Sequence, residues 1–244
     1  AIAEAKYLMA VEDQIFLPRN GAPIINIVED YYGGVYRLTD DATRLSKEEA
    51  EHILGLAGIY YLPEHEEKGM YKGKDILSLL FPKDFSIETK DIKIKNGRII
   101  EGKLTKSAML DILVSFGAKY DTTFIKDFLS RLGRLAGAYI TISGLTVGVK
   151  DYKPNEKISI EVEKIIKEAL DKGNEIIQKY KENKLETLPG STPQETLELN
   201  LMYIFGEARE KATKLLDETY KMDNNAYFIA KSGTRGNILN MQQM

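Results

Sequence analysis

Five residues near the end of the chain, Ser232-Gly233-Thr234-Arg235-Gly236, hold a permanent cation between two glycines, and Lys231 adds a second just before them. Glycine has no Cβ, so backbone at 233 and 236 can bend through positive φ and approach another backbone or a ligand closely. A guanidinium held there presents a planar fork of donors that grips two phosphate oxygens together, which an ammonium cannot do. Amides follow at Asn237, Asn240 and Gln243. The same glycine spacing also suits a turn joining two helices, and these residues alone leave both readings open.

Other chemistries find less support. His52 and His65 are the two histidines, neither at metal-ligand spacing from another, and His65 lies in the acidic run 64–67. Neither is expected to hold a metal. The segment 144–149 (Gly-Leu-Thr-Val-Gly-Val) invites comparison with a phosphate loop, but no Gly-Lys-Ser/Thr pattern surrounds it, so it reads as a turn. The absence of cysteine excludes disulfides, Cys-type zinc sites and thiol catalysis, and suits a cytoplasmic setting. A net charge of −3 provides no strong positive field for duplex DNA. No apolar run approaches the roughly 18 residues of a membrane span, and nothing at the start reads as a signal peptide.

The elements that must position the glycine segment are legible in order. The 244 residues, 43 % apolar and 29 % charged, suffice for one large or two modest domains. Residues 1–12 read as a short helix with Ile2, Ala5, Leu8 and Met9 on one face. The turn cluster 18–23 leads into the apolar run 24–28, expected as a buried strand with Glu29 and Asp30 at its exit. Ser46 and Glu49 form a capping box before a helix over 47–56. The stretch 60–88 is loop-rich, with one short helix at 74–80. Alternation through Ile92, Ile94 and Ile99 about Asn96-Gly97 predicts a β-hairpin over 91–104. Helical pattern returns at 107–116 and 121–142, the latter with Phe124, Phe128, Leu132, Leu135 and Tyr139 on one face. Two long helices close the pattern. One, within 156–184, carries the stripe Ile158, Val162, Ile165, Ala169, Gly173, Ile176, Tyr180. The other, within 193–220, carries Leu197, Leu201, Ile204, Ala208, Ala212, Leu215, Thr219, and Thr192-Pro193-Gln194-Glu195 opens it. The short Pro189-Gly190 connector predicts an antiparallel pair.

Four stretches taken together resemble one family. Ser-Gly-Thr-Arg-Gly followed by Asn240-x-x-Gln243-Met244 is similar to a segment of the largest subunit of multisubunit RNA polymerases, of archaeal type. The stretches 18–39, 188–198 and 207–212 agree in the same order, with Pro23, Asp30, Gly34, Leu38 and Thr39 matching. Glu29 stands where that family usually has glutamine, and Thr213 where it has glycine. The resemblance implies an α+β chain: a small mixed pore region with a β-hairpin, then a long antiparallel helical hairpin, the funnel. It divides the chain into an active-site-adjacent segment 1–58, a pore domain 59–150, a funnel hairpin 151–222 and a glycine segment 223–244 leading to the bridge region.

The same resemblance implies a function. The parent enzyme is a DNA-directed RNA polymerase, a nucleotidyltransferase that uses Mg2+. This chain would line the route by which nucleoside triphosphates enter and a backtracked RNA 3′ end leaves. Arg235, Lys231, Asn240 and Gln243 are the expected substrate- or pore-lining residues, and Pro23, Asp30 and Gly34 the active-centre-adjacent ones. The chain lacks the family's magnesium-binding aspartate loop, so it is expected to bind no metal and to be inactive alone, as an excised piece of the subunit. Implied partners are other polymerase subunits and a transcript-cleavage factor at the funnel. The alternative is a non-catalytic helical module that docks such a factor.

Overall fold

Local signals fix most element boundaries in the computed structural model, which describes residues 1–64, 69–153, 156–220 and 223–243. The chain folds as two units: one of Ala1–Thr146 with Lys231–Arg235, the other of Val147–Ala230 with Gly236–Met244. His65 lies outside the described residues. The α+β expectation holds, with long helices and, among the described residues, two small antiparallel sheets.

The first unit begins with α1 (Ile2–Tyr7) and a 3-10 turn at Val11–Gln14. The predicted helix over 1–12 is thus broken. Its apolar face gains no burial, since Leu8 and Met9 are exposed, and six residues cannot sustain a helix by propensity. The run 24–28 is not the expected strand. One bridge pairs Phe16 with Pro23, and Ile24 and Val28 are exposed while Ile27 is buried. The bridge is held by the Ile24 N–H to the Ile15 carbonyl at 2.8 Å and the Leu17 N–H to the Ala22 carbonyl at 2.9 Å. Before Ile15 the chain is the 3-10 turn, so among the described residues no extended partner continues the pairing.

Next come α2 (Asp30–Leu38), β1 (Arg44–Leu45) and α3 (Lys47–Leu56). The Ser46–Glu49 capping box opens α3 as predicted: the Glu49 N–H donates to Ser46 Oγ and the Ser46 N–H to Glu49 Oε2. β2 (Tyr71–Lys72) pairs with β1, and α4 spans Gly73–Ser78, starting one residue and ending two residues earlier than expected. Strands β3 (Ile87–Glu88), β4 (Ile92–Lys95) and β5 (Arg98–Gly102) form the second sheet in that order, all antiparallel. The turn between β4 and β5 has Asn96 at φ 50° and Gly97 at φ 74°, as the Asn-Gly pair predicts. Helix α5 (Lys106–Lys119) is capped by Thr105 and α6 (Thr122–Ser143) by Asp121; Gly144, at φ 66°, ends α6.

This unit has one continuous core. Phe128, Leu132 and Leu135 of the α6 stripe are buried in it, and Phe124 and Tyr139 pack at its margin. Phe116 sits 4.6 Å from Phe85 and 4.9 Å from Phe128 in edge-to-face arrangements. Each such pair adds about 0.5–1.5 kcal/mol beyond its buried area.

The second unit contains α7 (Val149–Tyr152), α8 (Glu156–Lys181), α9 (Pro193–Thr219), α10 (Asn225–Ser232), whose last two residues belong to the first unit, and α11 (Ile238–Gln243). Helices α8 and α9 pack along their length as the predicted hairpin. The first ends before 184 in a Schellman motif: Asn183 takes φ 57°, and the Lys184 N–H reaches the Lys179 carbonyl at 2.8 Å. Ala169, Gly173 and Ala212 of the two stripes are buried. At the end of the second stripe Thr219 is exposed and Leu216 is the buried residue. A smaller core gathers Ala226, Tyr227 and Met241 with Val147, Tyr152, Tyr220 and Ile238.

Candidate functional site

Arg235 is positioned by the three residues before it. Ser232 and Thr234 are buried, 2 % and 4 % exposed, and their hydroxyls share a hydrogen bond of 2.7 Å. Thr234 packs on Gly33 of α2, where a Cβ would come 3.0 Å from the threonine hydroxyl. The positive φ of Gly233 (78°) and Gly236 (65°) supplies the bends on either side. The segment is therefore pinned against α2 while the Arg235 side chain remains more than half exposed.

That side chain meets two acids at the start of α2. Arg235 Nη2 donates to Glu29 Oε2 at 3.1 Å and to Asp30 Oδ2 at 3.2 Å. Both contacts fall on one nitrogen, so Nη1 and Nε donate to neither carboxylate, while Nη2, which both bidentate edges of a guanidinium share, is engaged by the acids. The partners are carboxylates and not the carbonyls of a helix end, so Arg235 does not cap a helix here. All three side chains are more than half exposed, at 57 %, 65 % and 53 %, and pairs so exposed contribute about 0.2–1 kcal/mol each.

Glu29 stands out in the sequence where the family usually has glutamine, but nothing local signals its pairing with Arg235. No short-range pattern links positions 206 residues apart. Its backbone is also unusual: φ 51° and ψ −124°, with the Tyr31 N–H closing onto the Val28 carbonyl at 3.2 Å. These are the features of a type II′ turn with glutamate at the corner that favours glycine.

The remaining expected residues divide by role and by unit. Asp30 is the first residue of α2 and one of the two partners of Arg235. Gly34 faces α6, where a Cβ would fall 2.7 Å from the Ala136 carbonyl oxygen, so it permits a close helix crossing. Pro23 lies in the bridge with Phe16. Lys231 is exposed in the last turn of α10. Asn240 and Gln243 belong to the second unit, on α11. There the Asn240 N–H donates to Asn237 Oδ1 at 2.9 Å, and the Asn237 N–H to Asn240 Oδ1 at 3.1 Å. This reciprocal cap commits the Asn240 oxygen to opening α11.

The segment before the Glu29 turn also lines a groove of about 620 Å³ with α6, its walls including Ile15, Val28, Tyr31, Ser130 and Arg134. Among the described residues, no three His, Cys, Asp or Glu side chains converge so as to hold a metal ion. No helix among the described residues is long and apolar enough to cross a membrane.

Comparison with known proteins bears directly on these features. Residues 14–152 match the family model "RNA polymerase Rpb1, domain 3", and residues 176–244 match "RNA polymerase Rpb1, domain 4". The whole chain aligns at 33 % identity with "DNA-directed RNA polymerase subunit Rpo1N" of Thermococcus celer and at 33 % with that of Methanocaldococcus jannaschii. The Halobacterium salinarum protein of the same name is 32 % identical, again over the whole chain. The alignments cover 32 %, 20 % and 27 % of those relatives, so the chain spans a third of their length or less.

Proposed function

Because this chain belongs to the RNA polymerase Rpb1 family, we propose that it acts as part of the largest subunit of an archaeal-type DNA-directed RNA polymerase. Its role there is to line the pore and funnel through which nucleoside triphosphates enter and a backtracked RNA 3′ end leaves. In this reading 59–150 belongs to the pore, 151–222 to the funnel, and 223–244 leads toward the bridge region. Other polymerase subunits are its partners, and the setting is the cytoplasm. The Mg2+ ions of nucleotidyl transfer need carboxylates to hold them, and we assign those ligands to residues outside this chain.

The observation that carries the reading is the presentation of Arg235. A buried Ser232–Thr234 anchor holds the backbone, while the guanidinium stays more than half exposed, with Nη1 and Nε donating to neither acid. An exposed guanidinium with donors to spare suits a triphosphate or a terminal RNA phosphate. Charge-assisted hydrogen bonds of this kind contribute roughly 1.5–3 kcal/mol, or about 10- to 100-fold in substrate use at sub-saturating triphosphate. The test is Arg235→Ala in the reassembled polymerase, following extension against triphosphate concentration together with thermal stability. A 10- to 100-fold higher triphosphate requirement is expected, with Arg235→Lys keeping much of the parent behaviour. A loss of stability with unchanged triphosphate dependence would leave a structural arginine and end the substrate role.

A second reading, in which the hairpin docks a transcript-cleavage factor, is favoured by its surface. Ile160, Met202 and Tyr203 are 66 %, 66 % and 71 % exposed on α8 and α9. The two readings concern different units and are compatible.

A further inference from the structure

We propose that Glu29 is the resident anion of Arg235: its carboxylate occupies the guanidinium until a phosphate displaces it, and so sets how tightly phosphate is held. The proposal rests on the reading of Arg235 as a phosphate-binding residue.

The backbone supplies the first argument. A type II′ corner at φ 51°, ψ −124° suits glycine, because a Cβ at positive φ is crowded by neighbouring backbone. Glutamate at this corner breaks a local rule, and such breaks concentrate where the side chain has a task. Capping is not that task, since the Glu29 side chain makes no cap hydrogen bond to α2. It reaches Arg235 instead, at 3.1 Å.

Charge supplies the second. Two carboxylates share one guanidinium nitrogen, so the trio carries a net charge of −1. A phosphate approaching the guanidinium meets that surplus negative charge, and either bidentate edge it could use includes the engaged Nη2. Withdrawal of one carboxylate leaves a neutral pair and frees one Nη2 hydrogen for the incoming anion. Asp30 is fixed as the first residue of α2, whereas Glu29 lies outside the helix on a longer side chain and is 65 % exposed. Glu29 is therefore the member that leaves, and the exchange is of one anion for another with no covalent step.

The experiment uses the reassembled polymerase with Glu29→Gln, Arg235→Ala and the double variant, and reads the triphosphate concentration for half-maximal extension. Glutamine keeps the length and polarity of the side chain and removes its charge. Glu29→Gln is expected to lower that concentration by roughly 2- to 5-fold, the worth of one exposed ion pair. The effect should vanish when Arg235 is already alanine. If Arg235→Ala raises the requirement but Glu29→Gln leaves it unchanged or raises it, the phosphate role stands and the resident-anion role falls. An equal gain in the Arg235→Ala background would mean a general field effect and also overturn the proposal. If Arg235→Ala changes nothing, both fail together.

Discussion

At the scale of single residues, the acids flanking α2 and the glycine within it do unlike work. Glu29 carries backbone strain, and its two simplest replacements separate strain from charge. Glu29→Gly and Glu29→Ala both remove the carboxylate, but only glycine relaxes at φ 51°. Denaturant melts should show the glycine variant more stable than the alanine variant by about 1 kcal/mol, the reverse of their order in a helix. Gly34 is a packing residue of the opposite kind. Gly34→Ala would drive a Cβ to 2.7 Å from the Ala136 oxygen and should cost about 1–3 kcal/mol as α2 and α6 separate. Asp40 gives a pH signature. Burial alone would raise its pKa, but hydrogen bonds from Lys103 and the Ala42 N–H, with the charges of Lys103 and Lys74, outweigh burial and lower it. Its folded pKa lies below the unfolded value, so its contribution is present above that unfolded value. It is lost as pH falls through the folded pKa. The stability gap between the parent and Asp40→Asn should therefore be full at pH 7 and close in acid, as melts across pH will record.

Elements follow their own rules, and the α8–α9 hairpin is the clearest case. A Cβ on Gly173 would lie 3.4 Å from the Phe205 ring and 3.5 Å from Leu201 Cδ2, ordinary contact distances. Gly173→Ala should fit and raise stability by up to about 1 kcal/mol through helix propensity. Gly173→Leu needs room that Phe205 and Leu201 already fill, and should destabilise. Leu201 is half-buried in the seam, so Leu201→Asp places a carboxylate against apolar neighbours. It should cost several kcal/mol, of the order seen when a charge is buried unpaired. A melting temperature unchanged by Leu201→Asp would show that the stripe is no core.

For the whole molecule, the proposals concern a larger assembly. The purified chain with Mg2+, template and triphosphates is expected to yield no templated extension, because the proposed ligands of the catalytic Mg2+ lie outside it. Template-dependent products from a clean preparation would contradict the assignment of those ligands to residues elsewhere. The hairpin extends for about 40 Å at 1.5 Å per residue, more than is needed to cover a small core. Lys167 and Glu175 are exposed on α8. Charge reversal at both should weaken binding of a cleavage factor to the assembled enzyme without lowering thermal stability. Equal factor binding by that variant would reduce the face to solvated surface.

Read alone, the sequence determined what short-range physics controls. The capping boxes at Ser46 and Thr192, the Asn96-Gly97 turn, the Phe128–Leu135 stripe and the hairpin connector each depend on residues a few positions apart, and each appears in the fold. The glycine segment was legible for the same reason, since positive φ at Gly233 and Gly236 is a local property. The run 24–28 was misread because periodicity reports apolar residues and not a pairing partner, and here pairing stops at Phe16 and Pro23. What surrounds Arg235 was beyond local pattern altogether. Only tertiary structure carries Thr234 onto Gly33 and brings the guanidinium to Glu29 and Asp30, because contacts across some 200 residues are set by how helices pack.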